Sequence, residues 1–357
     1  MKTSTSTYQF SKINTSYFKG IGILLIFIHN YFHIITPYKL QNEIAFSVTN
    51  VNSFMRLFSN PTITDVIGGT FGFLGHFGVQ IFIFFSAYGL SIQYSKWNNS
   101  PTQFIIRRLK KVYLLLAFGI LFWFISKPFI GATDNLNGIL MQLFLLITSV
   151  GNLFRSTVYA MFSGPYWFFA LIIQLYIIFP ILYKMVKRLS YIYIWLPLIL
   201  SILLLYILYY TTPHDQFALF GNVLGHMPEI ILGIILAQQK VKKLPLPVLM
   251  IVFVLFIASQ FIEIFFPLSF LAVTILLLHS VKAMQDYSHS YISKFVIFTG
   301  NISMMLFIFN GPLRYYPWFI NESQTIPELF IPFTIILYLI SYPSYLLFQW
   351  LIQKMKW

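Results

Sequence analysis

The sequence predicts an all-α polytopic membrane protein, a single domain over residues 1–357 with about ten transmembrane helices and both termini cytoplasmic. Three observations carry that expectation. Only 32 of the 357 residues are charged, 23 Lys or Arg and nine Asp or Glu, or 9% against roughly 25% in a soluble domain. Apolar runs long enough to cross ~30 Å of hydrocarbon, ~20 residues each, recur along the chain. The basic residues collect in alternate loops, as the positive-inside rule requires. With 58% hydrophobic residues, a water-soluble enzyme, a disordered protein and a nucleic-acid-binding domain are excluded as descriptions of the whole chain. The net charge of +14 is then read as topology rather than as a footprint for nucleic acid. There are no cysteines, so no disulfide framework, thiolate metal site or thiol nucleophile is available.

The apolar runs expected to cross are 18–37, 70–94, 112–130, 166–183, 191–210, 217–238, 245–263, 266–281, 296–314 and 328–351. An eleventh run, 138–154, is resolved by charge. If it does not cross, 18 Lys and Arg fall on the inner side, from Lys2, Lys12 and Lys19 through to Lys354 and Lys356. Only Lys39, Arg56, Lys127, Arg155 and Arg314 then fall outside. If it crosses, every later loop inverts and the bias vanishes. The run is therefore expected to lie in the outer interface or to be re-entrant. The first sixteen residues are polar, and the first apolar run exits into Ile35-Thr36-Pro37-Tyr38 without a small-residue cleavage site, which predicts an uncleaved anchor. The longest outer loop is 38–69, and the 315–327 loop carries Tyr315, Tyr316, Pro317 and Trp318, an interfacial aromatic belt before it is a sugar platform.

Polar side chains inside these runs are costly and mark function by default. His29 and His33 are four residues apart in the first run and share a helix face, with Asn30 beside them. His29 lies ten residues beyond Lys19, about 15 Å at 1.5 Å per residue. Glu229 lies nine residues from the inner end of 217–238, about 13 Å deep, and has to be paired, protonated or facing a wet cavity. An imidazole at that depth, with a carboxylate opposite, suits general-base work on a hydroxyl. The plainer alternatives are a structural histidine bonding a carbonyl and a structural partner for Glu229. No metal is expected, because an i, i+4 histidine pair lacks further ligands. The glycine-rich stretch Gly68 to Gly75 reads as close span packing or a flexible span entry rather than a phosphate loop.

Lys19-Gly20, the apolar run 21–28 and His29 resemble the signature first span of acyltransferase family 3, the integral-membrane O-acyltransferases of surface polysaccharides. Five further segments resemble the family in order, giving a core resemblance over 17–314. Gly78-Val79-Gln80 through Ser86-Ala87-Tyr88 is similar to its second-span segment, and the run with Arg107, Arg108, Lys110 and Lys111 to its basic cytoplasmic entry to the third. Pro165-Tyr166-Trp167-Phe168-Phe169, with Gln174, Tyr176 and Pro180, is similar to its Trp-Phe-Leu segment. Met227-Pro228-Glu229 with Gly233 resembles its Pro-Glu span, and Gly300-Asn301-Ile302-Ser303 with Phe307 and Asn310-Gly311-Pro312 its closing pattern. The chain departs from the family at several points. Nine residues rather than ten separate the base from His29, and Asn30 takes the tenth-spaced position. Lys19 replaces Arg, Gln80 stands at a frequent Asp position, Ile172 and Ile173 stand where many members carry Glu, and Asn310 where many carry His. Since a helix turns ~100° per residue, His29 is offset from the family's direction, and His33 becomes a second candidate base.

The resemblance implies transfer of an acyl group, commonly acetyl from acetyl-CoA, to a hydroxyl of a surface glycan or lipid-linked sugar at a bacterial inner membrane. It assigns catalysis to His29, His33 and Glu229, with His29 as base or acyl relay oriented by Glu229 or Asn30. Lys19, Arg107, Arg108 and Lys111 are expected to hold the acetyl-CoA phosphates, although anionic-lipid contact serves the basic run equally. Asn30, Ser86, Trp167 and Asn310 are expected on the acceptor. The competing reading is a proton-coupled exporter of a glycan intermediate or small acid, which an intramembrane Glu and His and broken Gly/Pro segments would also serve. A catalytically dead scaffold is the third.

Overall fold

The computed structural model describes residues 7–130, 135–162 and 164–355. Lys2 and Lys356, part of the charge argument above, lie outside them. Among the described residues the chain is all-helical, with fifteen α-helices and short 3₁₀ turns, and its extended contacts are the isolated bridges Thr7–Lys242 and Phe154–Phe217. Five helical stretches are long and apolar enough to cross a membrane: Ile63–Tyr94, Pro101–Pro128, Gly164–Lys187, Glu263–Asp286 and Pro327–Lys354. A sixth is a pair, Ser290–Asn301 and Ser303–Arg314, bent by 71°.

The first helix, α1 (Lys12–Phe32), starts at a capping box in which Ser11 accepts from the Asn14 backbone N–H and the Asn14 side chain accepts from Ser11. It ends at Phe32, so 33–37 is a turn and not the last turn of a span. Lys19, His29 and Asn30 put costly polar groups on α1, and its surroundings explain why they are tolerated. It packs on α3 (Ile63–Leu74), α4 (Gly78–Tyr94), α12 (Ser290–Asn301) and α13 (Ser303–Arg314), and is thereby removed from lipid. The α1–α12 crossing needs Gly20: a Cβ there would lie 2.8 Å from Val296 Cγ1 and closer still to the Val296 carbonyl oxygen.

The expected outer loop 38–69 contains a helix of its own, α2 (Val48–Leu57), capped by Ser47. α3 then begins at a second capping box, Thr62 with Asp65, and joins α4 through a 3₁₀ turn at Gly75–Phe77. α5 (Pro101–Ile130) starts eleven residues before the expected span, so the basic run 107–111 lies on helix rather than loop. α6 (Leu136–Ile147) has twelve residues, about 18 Å of rise, too little for the hydrocarbon; this agrees with a non-crossing 138–154. α7 is Trp167–Lys187, α8 Leu196–Thr211, α9 Met227–Gln238, α10 Leu246–Phe261, α11 Ser269–Tyr287, α14 Pro317–Glu322 and α15 Phe330–Lys354.

Two expected spans need correction. The run 217–238 opens on an isolated 3₁₀ turn, Leu219–Gly221, and is continuously helical only from Val223, through a second 3₁₀ turn into α9. The run 296–314 is broken at Ile302, which takes bridge-region angles (φ −94°, ψ 4°) between α12 and α13. Irregular backbone at membrane depth survives only inside protein, and Ile302 is fully buried. The periphery is the reverse: Ile331, Ile335, Leu339 and Leu346 leave α15 with an exposed apolar face. Only 17% of its most apolar window is buried, against 72% for Ile63–Tyr94, which places α15 outside and α3–α4 at the centre of the bundle.

Candidate active site

A cavity of about 340 Å³ opens where the C-terminal turn of α1 meets the 3₁₀ turn after α3, the 39–43 and 159–167 segments, and α13. Its wall contains His29, Asn30, His33 and His76, with Lys39, Gln41, Glu43, Tyr159, Trp167 and Arg314. The sequence places both histidines one turn apart, and the rings stack with centroids 5.4 Å apart at 15°. Gly75 lets α1 come this close. A Cβ on it would lie 2.7 Å from His29 Cβ and 2.9 Å from the Leu25 carbonyl oxygen.

His29 is buried, with Nδ1 3.0 Å from the Phe71 carbonyl oxygen and Nε2 2.9 Å from Gln41 Oε1. A carbonyl can only accept, so in the neutral ring Nδ1–H donates to Phe71 and the lone pair sits on Nε2. With the oxygen and nitrogen of the Gln41 amide exchanged, its NH₂ donates to that lone pair. His33 Nδ1 has no partner, and neither ring nitrogen of His76, 5.6 Å from His29 by centroid, has one. Among the described residues, no group of three or more His, Cys, Asp or Glu has the arrangement to hold a metal ion.

Opposite the histidines, α13 delivers Arg314, only 5% exposed. Its Nη1 donates to the Asn30 carbonyl oxygen (3.1 Å) and to Asn30 Oδ1 (3.2 Å), and Nη2 donates to the Tyr315 hydroxyl (3.2 Å). The guanidinium lies 4.9 Å from the Tyr315 ring centroid, while Nε has no partner. Glu43 accepts a hydrogen bond from the Tyr159 hydroxyl at 3.0 Å. Burial pushes its carboxyl up to about 7, against the Tyr159 hydrogen bond and the charge of Arg314, which pull it down. A buried imidazole whose Nε2 is held only by the Gln41 side chain, with an arginine in the same cavity wall, is suited to deprotonating a hydroxyl that displaces that contact and to stabilising developing negative charge.

The family model described as an acyltransferase domain, acyltransferase family 3, matches residues 14–350. The chain belongs to this acyltransferase family. No curated protein and no solved structure matches it. Membership makes the protein an integral-membrane O-acyltransferase, the first of the three readings above.

Within this acyltransferase the cavity gathers four of the residues singled out in the sequence: His29, His33, Asn30 and Trp167. It does not gather the others. Glu229, in the first turn of α9, is fully buried with Oε1 4.0 Å from His226 Nδ1, and lies outside the cavity wall. The ring of His29 is oriented by Phe71 and Gln41, not by Glu229 or Asn30, because the loop after α1 folds back over it. Asn30 instead holds Arg314. Asn310, one turn before Arg314, is fully buried with both amide atoms unpartnered and does not line the cavity; Ser86 is partly buried on α4, also outside it.

The four basic residues lie away from the cavity wall as well. Lys19 is ten residues back along α1. Arg107 sits over the Trp97 ring, while Arg108 sits over Phe104 and donates to Gln93; Lys111 is partly buried on the same helix. Sequence reasoning missed Gln41, Glu43, His76, Tyr159 and Arg314. Only His76 carried a signal, an ionisable residue two positions before the Gly78 segment; Arg314 entered merely as an outside charge.

Proposed function

We propose that this acyltransferase moves an acetyl group from acetyl-CoA to a hydroxyl of a surface glycan or lipid-linked sugar, with His29 as the general base. The single observation behind this reading is the 3.0 Å contact of His29 Nδ1 with the Phe71 carbonyl oxygen, which makes Nδ1 the donor of the neutral ring and Nε2 its basic nitrogen, on a residue that lines the cavity. Nε2 takes the proton of the acceptor hydroxyl as its oxygen attacks the thioester carbonyl. The C–S bond then breaks, and the CoA thiolate leaves and receives that proton from the imidazolium. His33, stacked on His29, is the second candidate base. Trp167 lines the cavity, where an indole can pack on a sugar, and about 340 Å³ is at the small end of ligand pockets (~300–1,000 Å³), which suits a sugar ring with a short acyl group.

The same reading places ten crossings in a bacterial plasma membrane with both termini cytoplasmic, with α8, α10 and the stretch Val223–Gln238, in which a 3₁₀ turn lengthens α9, serving as short spans. Lys19, Arg107, Arg108 and Lys111 then lie on the cytoplasmic half, where they meet the phosphates of the donor. The thioester reaches His29 across about 15 Å of α1. Glu229 acts on the site only at a distance, through the packing of α9 on α4 and α7. The test uses the protein in nanodiscs: saturable acetyl-CoA binding and slow release of free CoA, abolished in His29→Ala. Absence of acetyl-CoA binding in the wild type sinks this reading.

A further inference from the structure

Resting on the acyl-transfer reading above, we infer that the acceptor carries an oxyanionic group, a sugar carboxylate or a phosphate ester, close to the hydroxyl that is acylated, and that Arg314 binds it. Arg314 lines the cavity at 5% exposure, yet no carboxylate pairs with it among the described residues. Its fixed contacts are neutral: the Asn30 carbonyl and side-chain amide, and the Tyr315 hydroxyl. These hold the guanidinium plane in place without cancelling its charge. Nε–H is left without a partner, and a guanidinium presents Nε–H beside an Nη–H as two parallel donors matched to a carboxylate or phosphate.

The nearest acid, Glu43, is committed to Tyr159. The histidines facing Arg314 bring no negative charge, and exposed Lys39 adds a second positive charge at the mouth. A buried, uncompensated cation is costly unless a bound anion completes it. Anchoring of a helix end would explain an exposed arginine in the last turn of α13, but not a buried one aimed into a cavity. Gly164 belongs to the same arrangement: a Cβ there would stand 3.1 Å from Arg314 Nη2.

The experiment uses the full chain in nanodiscs with acetyl-CoA and three acceptors: a uronic-acid oligosaccharide, its methyl ester, and the neutral oligosaccharide bearing a phosphate monoester. The expected result is a KM at least about tenfold lower for one or both charged acceptors than for the methyl ester, the worth of a charge-assisted hydrogen bond. Which charged arm wins separates carboxylate from phosphate. Arg314→Gln should erase the preference and Arg314→Lys keep part of it. Direct titration of the wild-type protein with the same ligands stands independently of turnover and of the folding of the variants. Equal binding of all three, or a preference that survives in Arg314→Gln, overturns the inference. Failure of the acyl-transfer reading looks different: the wild type then releases no CoA from acetyl-CoA with any acceptor.

Discussion

His29 Nδ1 lies 3.0 Å from the carbonyl oxygen of Phe71, a residue 42 positions away on α3, and this contact leaves Nε2 as the basic atom of the cavity. His29→Ala should therefore lower acyl transfer by about 10²–10⁴, the usual contribution of a placed general base. His33→Ala should cost less, since His33 has no hydrogen bond that fixes its tautomer. Single-turnover rates of both variants, with expression checked, decide the order; equal activity of His29→Ala and the wild type would remove the base from α1.

Gly75 sets the distance between α1 and the turn after α3. Gly75→Val should lower Tm and activity together, since its Cβ would meet His29 Cβ at 2.7 Å and overpacking costs about 1–3 kcal/mol. Gly89→Ala is the control: on α4 the nearest atom to a new Cβ is Gln93 Nε2 at 4.0 Å, so a gain of about 0.5–1 kcal/mol is expected from helix propensity. Thermal unfolding in the same detergent reads both.

Glu43 makes stability depend on pH in a defined direction. Its carboxyl in the folded chain is pushed up to about 7 from an ordinary 4.5, so between those values the folded state holds the extra proton. Stability from this group falls as pH rises from about 4.5 to 7 and is constant above. The Tm of Glu43→Gln relative to wild type should rise across that window and flatten beyond it. Tyr159→Phe, which removes the hydrogen bond that favours the charged form, should move the window upward.

The chain has no cysteine, so single cysteines report topology without background. Asn60→Cys, exposed between α2 and α3, should react with a membrane-impermeant thiol reagent in intact cells. Asn99→Cys, exposed between α4 and α5, should react only after lysis. The opposite pattern would invert the orientation drawn from the Lys and Arg distribution.

Much of the architecture was legible because lipid acts on composition. A charged fraction of 9%, repeated apolar runs and a Lys/Arg bias are imposed by the bilayer on the chain as a whole, and they predict an all-helical membrane protein without reference to any contact. Helix starts were not: α1 and α3 begin at the local caps Ser11 and Thr62, ahead of the expected runs at 18 and 70, because an apolar run marks the stretch that lipid or protein buries and not the cap. Nor was the break at Ile302, because the apolar pattern runs through it and only burial among other helices lets the backbone leave the helix there. The same holds for 217–222, apolar enough to read as a span but folded as a 3₁₀ turn.

By itself the sequence determined that α1 carries a histidine pair on one face, that a tryptophan stands at the start of α7, and that the chain is an acyltransferase of family 3. The first two are properties of position within one element, and the third is a resemblance spread over six segments. Only the tertiary structure decided which polar groups meet: Phe71 and Gln41 hold His29, Asn30 holds Arg314, Tyr159 holds Glu43, and Glu229 is turned away to His226. Apart from the His226–Glu229 pair, three residues apart, the partners come from segments 12 to 284 residues apart, and depth along a span, which sequence does supply, says nothing about which side of a helix faces which neighbour. His29 and Glu229 were matched by depth; packing of α9 against α4 and α7 placed them in different environments.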